Sequence, residues 1–219
     1  MNIRQQRRKF TIVSWILIGM AILVLLVSLY LSWQQEKGIT VHHPDDIANG
    51  DVAMPTIEKP QPSEFDSYSV AADMPRYLFI EKLGVKAMIK PMGVDRQNRI
   101  EAPRSAFDVG WYDRSAKPGE SGAVLLDGHV SAGRTPGIFY DLKNLVPGDT
   151  ITLERGDGVK LAYSVVQSRV YHVDSVDMAA ALAPVTADRP GLNLITCTGS
   201  PIKGTNNYDQ RLIVFTEQL

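Results

Sequence analysis

The chain has a single cysteine, Cys197, at the end of the apolar run Leu192-Asn193-Leu194-Ile195-Thr196-Cys197. Arg211 follows fourteen residues later, inside Tyr208-Asp209-Gln210-Arg211-Leu212-Ile213-Val214-Phe215. Upstream, His129 closes the run Val124-Leu125-Leu126-Asp127-Gly128-His129. These three side chains suit thiol acyl transfer. The nucleophile is the thiolate, and a thiol of pKa about 8.5 is only a few per cent ionised near neutral pH. A neighbouring cation raises that fraction. An imidazole titrating near neutrality can protonate a departing amine. A guanidinium, always charged, can hold the tetrahedral oxyanion.

Each residue also has a plainer reading. A lone cysteine is often a small buried hydrophobe. A lone histidine is more often structural, and a lone arginine is usually a surface ion-pair partner. His172 is a rival imidazole, but it lies inside Arg169-Val170-Tyr171-His172-Val173 with no loop mouth beside it. The joint pattern carries more than its parts. One cysteine also excludes an internal disulfide and every CxxC metal or redox motif.

Short strands must position these residues. Tyr77–Ile80, Val85–Ile89, Ala123–Asp127, Thr150–Glu154 and Lys160–Val166 read as strand-like runs bounded by Gly, Pro or Asp turns, and Val170–Val173 continues the fifth. The Cys197 and Arg211 runs are the last two strands. If they pair antiparallel, both residues fall at the same end of the sheet. The loop Thr198–Gln210 between them carries Gly199, Pro201 and Gly204, as a mobile lid or binding loop would. Helical pieces are expected at Ile138–Leu145 and Ser175–Leu182. The spacing predicts a mainly β, closed or nearly closed barrel of mixed topology.

The N-terminus has a different character. Arg4, Arg7, Arg8 and Lys9 form a basic flank over residues 1–9, and the 24 residues from Phe10 to Trp33 carry no charge. As a helix that run is about 36 Å long, enough to cross a hydrocarbon core of about 30 Å with some tilt. It is too long for the apolar region of a signal peptide, and Ser28–Trp33 is a poor cleavage site. The sequence predicts a single transmembrane helix over 10–33, with a cytoplasmic N-terminus and an extracytoplasmic domain. Residues 34–72, punctuated by Pro44, Pro55, Pro60 and Pro62, read as a flexible linker. His42 and His43 fall there and read as solvated. The remainder, 73–219, is the barrel domain. A net charge of −1 creates no field favouring nucleic acid.

The words around these residues resemble the sortases, cysteine transpeptidases of Gram-positive and related bacteria. The matching pieces are Leu126-Asp127-Gly128-His129, the strand-ending Thr196-Cys197 and Arg211 opening the next strand. Pro91–Asp95, Val109–Tyr112, Lys117–Gly122 and Gly137–Leu142 with Leu145–Asp149 resemble the type called class F or E. The resemblance covers 73–219. It implies a sortase-like mixed β-barrel with short helices, with His129, Cys197 and Arg211 as catalytic residues and Thr196 and Thr198 as substrate-binding residues. It further implies cleavage of an LPxTG-like sorting motif between Thr and Gly, through a thioacyl enzyme. The partners would be the sorting signals of secreted surface proteins and an amine acceptor, from a cell-wall precursor or a pilin lysine. No nucleotide, redox cofactor or metal is implied.

Asp127 departs from the pattern, which leads one to expect a small or apolar residue there. Because strand neighbours face opposite ways, its carboxylate is expected to point to solvent. Two other readings remain open. An L,D-transpeptidase would want Ser-x-Gly-Cys where this chain has Ile195-Thr196-Cys197, and a papain-like enzyme has the reverse order of Cys and His. A non-catalytic anchored barrel that binds a wall protein or peptide is the other.

Overall fold

The computed structural model describes Met20 and residues 23–28, 54–96, 99–205 and 207–219. The expectations for the basic flank, for most of the 10–33 helix and for 34–53 of the linker lie outside the described residues. Met20 and residues 23–28 are helical, and their apolar side chains are exposed. No helix among the described residues is long and apolar enough to cross a membrane.

Ten strands follow: β1 (Pro75–Ile80), β2 (Val85–Met92), β3 (Val109–Tyr112), β4 (Ala123–Gly128), β5 (Ser131–Ala132), β6 (Thr135–Pro136), β7 (Thr150–Arg155), β8 (Lys160–His172), β9 (Gly191–Pro201) and β10 (Tyr208–Gln218). Eight of them close a barrel in the order β1-β2-β3-β4-β9-β10-β8-β7, sealed by antiparallel pairing of β7 with β1. Closure leaves no open edge. The topology is mixed, because β2–β3 and β4–β9 are parallel and the other barrel pairs antiparallel. Strands β5 and β6 form a separate small ribbon after β4.

Alternation explains the core. Leu78 and Ile80, Ala87 and Ile89, Val124 and Leu126, Leu192 and Leu194, and Leu212 and Val214 are each two residues apart on one strand and all lie in one buried cluster. Phe139 is buried against Gly128, where an added Cβ would stand 2.5 Å from its ring. That close approach explains the glycine before His129.

The strands differ from the expected ones in instructive ways. β8 runs unbroken through 167–169, because its pairing with β10 continues there through a single irregularity at Phe215/Thr216. β3 is added; its four residues are too few to show a period, and all are buried. β9 and β10 extend past their apolar runs to Pro201 and Tyr208, so the connection between them shrinks to 202–207. The helical pieces are 3-10 turns at Leu142–Asn144 and Val173–Ser175 and a helix, α2 (Met178–Leu182).

Of the segment read as linker, residues 54–72 make ordered contacts with the barrel. Helix α1 (Pro62–Ser67) starts with Pro62 in its first turn and a capping box between Gln61 and Glu64. The Tyr68 hydroxyl donates to the Ile89 carbonyl and the Tyr77 hydroxyl to the Phe65 carbonyl. Thr56 forms a parallel bridge with Ser105: its N–H donates to the Arg104 carbonyl at 2.8 Å, and its carbonyl accepts from Ala106 at 2.9 Å. A proline-rich composition signals a lack of regular periodicity, and these contacts form without any.

Leu126 is fully buried at the centre of β4. Replacing it with alanine is expected to lower stability by about 2–5 kcal/mol, read as a lower urea midpoint with unchanged slope.

Candidate active site

Core parity fixes which residues face outward. Leu192, Leu194 and Thr196 turn inward on β9, so Asn193, Ile195 and Cys197 turn outward; on β10 the outward set includes Arg211 and Ile213. Cys197 and Arg211 are direct cross-strand partners. On the other side β9 pairs with β4, in a parallel register that sets Asp127 opposite Ile195. The Thr196 hydroxyl extends this alignment by donating to the Gly128 carbonyl at 2.7 Å. Cys197 and Arg211 therefore sit side by side on two adjacent strands, and His129 is the residue that immediately follows β4, the strand on the other side of β9. Tyr171 pairs with Arg211 from β8, its phenol oxygen buried and without a hydrogen-bond partner among the described residues.

The connection between β8 and β9 covers the rest of this outer face. Leu125, Asn193, Ile195 and Ile213 are outward yet almost wholly buried. The Asn193 side-chain amide donates to the Ala181 carbonyl at 2.8 Å and the Ala183 carbonyl at 3.1 Å, fastening α2 over β9. The cover ends at Cys197 and His129, which are half-buried.

His129 Nε2 stands 2.7 Å from the Pro103 carbonyl oxygen. A carbonyl only accepts, so Nε2 carries a proton and Nδ1 is the nitrogen that can exchange one. The loop around Pro103 is the one bridged by Thr56. From the other side the Phe139 N–H donates to the His129 carbonyl at 3.0 Å, and Gly137 packs so closely on that carbonyl that no Cβ fits.

Burial dominates the thiol. It pushes the Cys197 pKa up to about 11; the Arg211 guanidinium pulls the other way, and the Asp127 carboxylate adds to the rise. The direction of this shift favours the neutral thiol.

Asp127 does not behave as a solvent-facing neighbour. Its strand neighbour Leu126 lies in the core, so alternation places Asp127 on the outer face, the face of Cys197. It is half-buried and acts on the thiol through space. Thr196 is also placed otherwise than expected: at 2 % exposure its side chain faces the barrel interior, so it ties β9 to β4 rather than lining the outer face. Thr198 sits half-buried at the rim, paired with Gln210. His172 is exposed at the end of β8, its Nδ1 3.3 Å from the Asp174 carboxylate.

Sequence reasoning missed Pro103 and Asn207. Pro103 acts through a backbone carbonyl, which no residue type announces. Asn207 Oδ1 lies 2.8 Å from Arg211 Nη2 and 4.0 Å from Cys197 Sγ. Its one signal is an amide four residues before the arginine. Near the end of β9, Gly199 has a φ of 83°, in the left-handed region, and its missing Cβ leaves room for Asp209.

The effect of Asp127 can be measured on Cys197 directly. Its carboxylate raises the thiol pKa, so Asp127→Asn should lower it. Alkylation by iodoacetamide should then set in at lower pH, and an unchanged profile would remove Asp127 from the thiol's electrostatics.

Comparison with known proteins agrees with the fold. The family model described as Sortase domain matches residues 78–219. No curated protein matches the chain. Among solved structures, sortase C1 of Streptococcus agalactiae in complex with MTSET is similar at a TM-score of 0.50 and 21 % identity, covering 69 % of this chain and 71 % of that one. Sortase C-1 of Actinomyces oris is similar at 0.51 and 20 %, covering 80 % and 93 %. A lid mutant of sortase A from Corynebacterium diphtheriae is similar at 0.51 and 22 %, covering 67 % and 70 %. At these identities the structures speak for the fold alone, and the family model covers well over half of the chain. The chain belongs to the sortase family of cysteine transpeptidases.

Proposed function

We propose that the protein is a membrane-anchored transpeptidase that cleaves an LPxTG-like sorting motif between Thr and Gly and joins the threonine carbonyl to an amine. The cross-strand pairing of Cys197 with Arg211, with His129 immediately after the neighbouring strand β4, carries this reading. The motif lies along the outer face, with its scissile carbonyl at Cys197. As the sulfur attacks, the thiol proton moves to His129 Nδ1, giving an imidazolium steadied by the Pro103 carbonyl. The oxyanion forms beside Arg211. The carbon–nitrogen bond then breaks, and His129 returns the proton to the departing glycine amine. A thioester remains on Cys197. An incoming amine, from a cell-wall precursor or a pilin lysine, attacks it and passes a proton through His129 to the sulfur. One amide bond is exchanged for another, and the thiol is regenerated.

A neutral resting thiol fits this sequence. Proton transfer accompanies attack, and the resting thiol is protected from indiscriminate reaction. Arg211 offsets part of the burial and is placed to do more once charge appears on the substrate oxygen.

Anchoring through the N-terminus is part of the same proposal. The basic flank and the uncharged run Phe10–Trp33 support it. So do Met20 and residues 23–27, helical, apolar and 48–66 % exposed, as a lipid-facing helix would be. The catalytic domain would then act outside the membrane.

The test is mass spectrometry after incubation with a Leu-Pro-x-Thr-Gly peptide. The expected result is a mass increase on Cys197 equal to the acyl fragment up to threonine, discharged by an added amine. Cys197→Ala should abolish turnover, and His129→Ala or Arg211→Ala should reduce it by about a hundredfold or more. Turnover that survives Cys197→Ala would defeat the mechanism.

A further inference from the structure

Asn207 is the buried polar group at the site to which the mechanism above gives no task. It is 6 % exposed, in the short connection between β9 and β10. Its Oδ1 accepts from Arg211 Nη2 at 2.8 Å and from the Tyr208 N–H at 3.1 Å. Both partners can only donate, so the amide must present its oxygen to them. The residue is itself held. Its N–H donates to Thr205 Oγ1 at 3.1 Å, and its carbonyl accepts from Ile202 at 2.9 Å. Next to it, the Tyr208 hydroxyl lies 3.0 Å from Ser131 Oγ, two residues after His129. Arg211 Nη1 completes the attachment by donating to the Tyr208 and Gln210 carbonyls, each at 2.9 Å.

The acceptor's chemistry matters as much as its place. A guanidinium on a long flexible stem has many rotamers open to it, so a fixed acceptor is needed to hold it in one place. A carboxylate would hold it but neutralise it, and would add to the negative charge that Asp127 already places near the thiol. An amide oxygen holds it and leaves its charge intact.

We propose that Asn207 is a positioning residue for the transpeptidase, whose neutral amide oxygen fixes the Arg211 guanidinium beside Cys197 with its positive charge still directed at the sulfur. The proposal rests on the reading of Arg211 given above. Asn207 makes no bond to substrate, and its Oδ1 also meets the Cys197 thiol at 4.0 Å; that long contact alone would favour the protonated thiol, so its loss would move the midpoint downward, opposite to the loss of the Arg211 anchor. The other charged or titratable groups around the thiol are Asp127 on β4 and His129 after it. The Asp209 carboxylate, nearby on β10, accepts from the Ser200 N–H at 2.7 Å.

Cys197 is the only cysteine, so alkylation of the full chain in detergent reports on this one sulfur. The pH dependence of iodoacetamide alkylation is compared in the wild type, Asn207→Ala, Asn207→Ser, Arg211→Ala and the Asn207→Ala/Arg211→Ala double variant. Serine keeps a small polar residue suited to a loop but is too short to reach the guanidinium, so misfolding of one variant does not decide the outcome. Circular dichroism verifies the fold of each. Both Asn207 variants are expected to move the midpoint upward toward that of Arg211→Ala, slowing alkylation at neutral pH by up to roughly tenfold per unit of pKa. The double variant should match Arg211→Ala alone. A wild-type midpoint in folded Asn207 variants would overturn the proposal. So would a shift in the Arg211→Ala background as large as that in the wild type. No sorting peptide is used, so this result stands apart from whether the chain cleaves one.

Discussion

The parallel pairing of β4 with β9 is the constraint on which the site depends. Antiparallel neighbours such as β9 and β10 can set their register through a short connection, but a parallel pair cannot. Its register must come from side-chain fit and from specific contacts across the seam. Here Val124 and Leu126 share the core with Leu192 and Leu194, and the Thr196 hydroxyl grips the Gly128 carbonyl. A slip of one residue would turn Cys197 into the core and bring Thr196 out. Thr196 therefore helps secure the register of β9 against β4.

Around that register the protein balances opposing demands on one sulfur. Burial and Asp127 hold the proton on, and Arg211 draws it off. The imidazole is steered by a backbone carbonyl and the guanidinium by a neutral amide and two backbone carbonyls. These hydrogen-bonding partners of the imidazole and the guanidinium are uncharged. Uncharged partners orient a catalytic group while leaving its charge for the substrate, and a ring of carboxylates could not do so.

Much of this was legible in the residues. Seven of the eight barrel strands announced themselves by alternation or by apolar runs, and the antiparallel placement of Cys197 with Arg211 followed from chain order. What escaped has physical causes. β3 is too short for its period to show. Pro103 works through its main chain. Thr196 looked like a substrate residue because it precedes the cysteine, but alternation sends it the opposite way. Asp127 was misjudged because facing outward was equated with facing solvent, when the outer face of β4 is the face of Cys197. The segment 54–72 read as a spacer because proline disrupts periodicity. Yet Pro62 starts a helix, and Thr56 pins the loop that carries Pro103.

The distance along the chain between Gly128 and Thr196 has a consequence for how the protein comes into being. Their contact spans 68 residues. Contacts of that range close late, because the entropy of the intervening loop must be overcome first, and barrels built on them fold in milliseconds to seconds rather than microseconds. The β8–β10 and β9–β10 ribbons can form before β4 finds its place beside β9. Until then the thiol has an arginine beside it but no histidine. On the proposed mechanism, competence for acyl transfer would arrive only once β4 has paired with β9, and a copy without that pairing would present a cysteine that cannot complete the reaction.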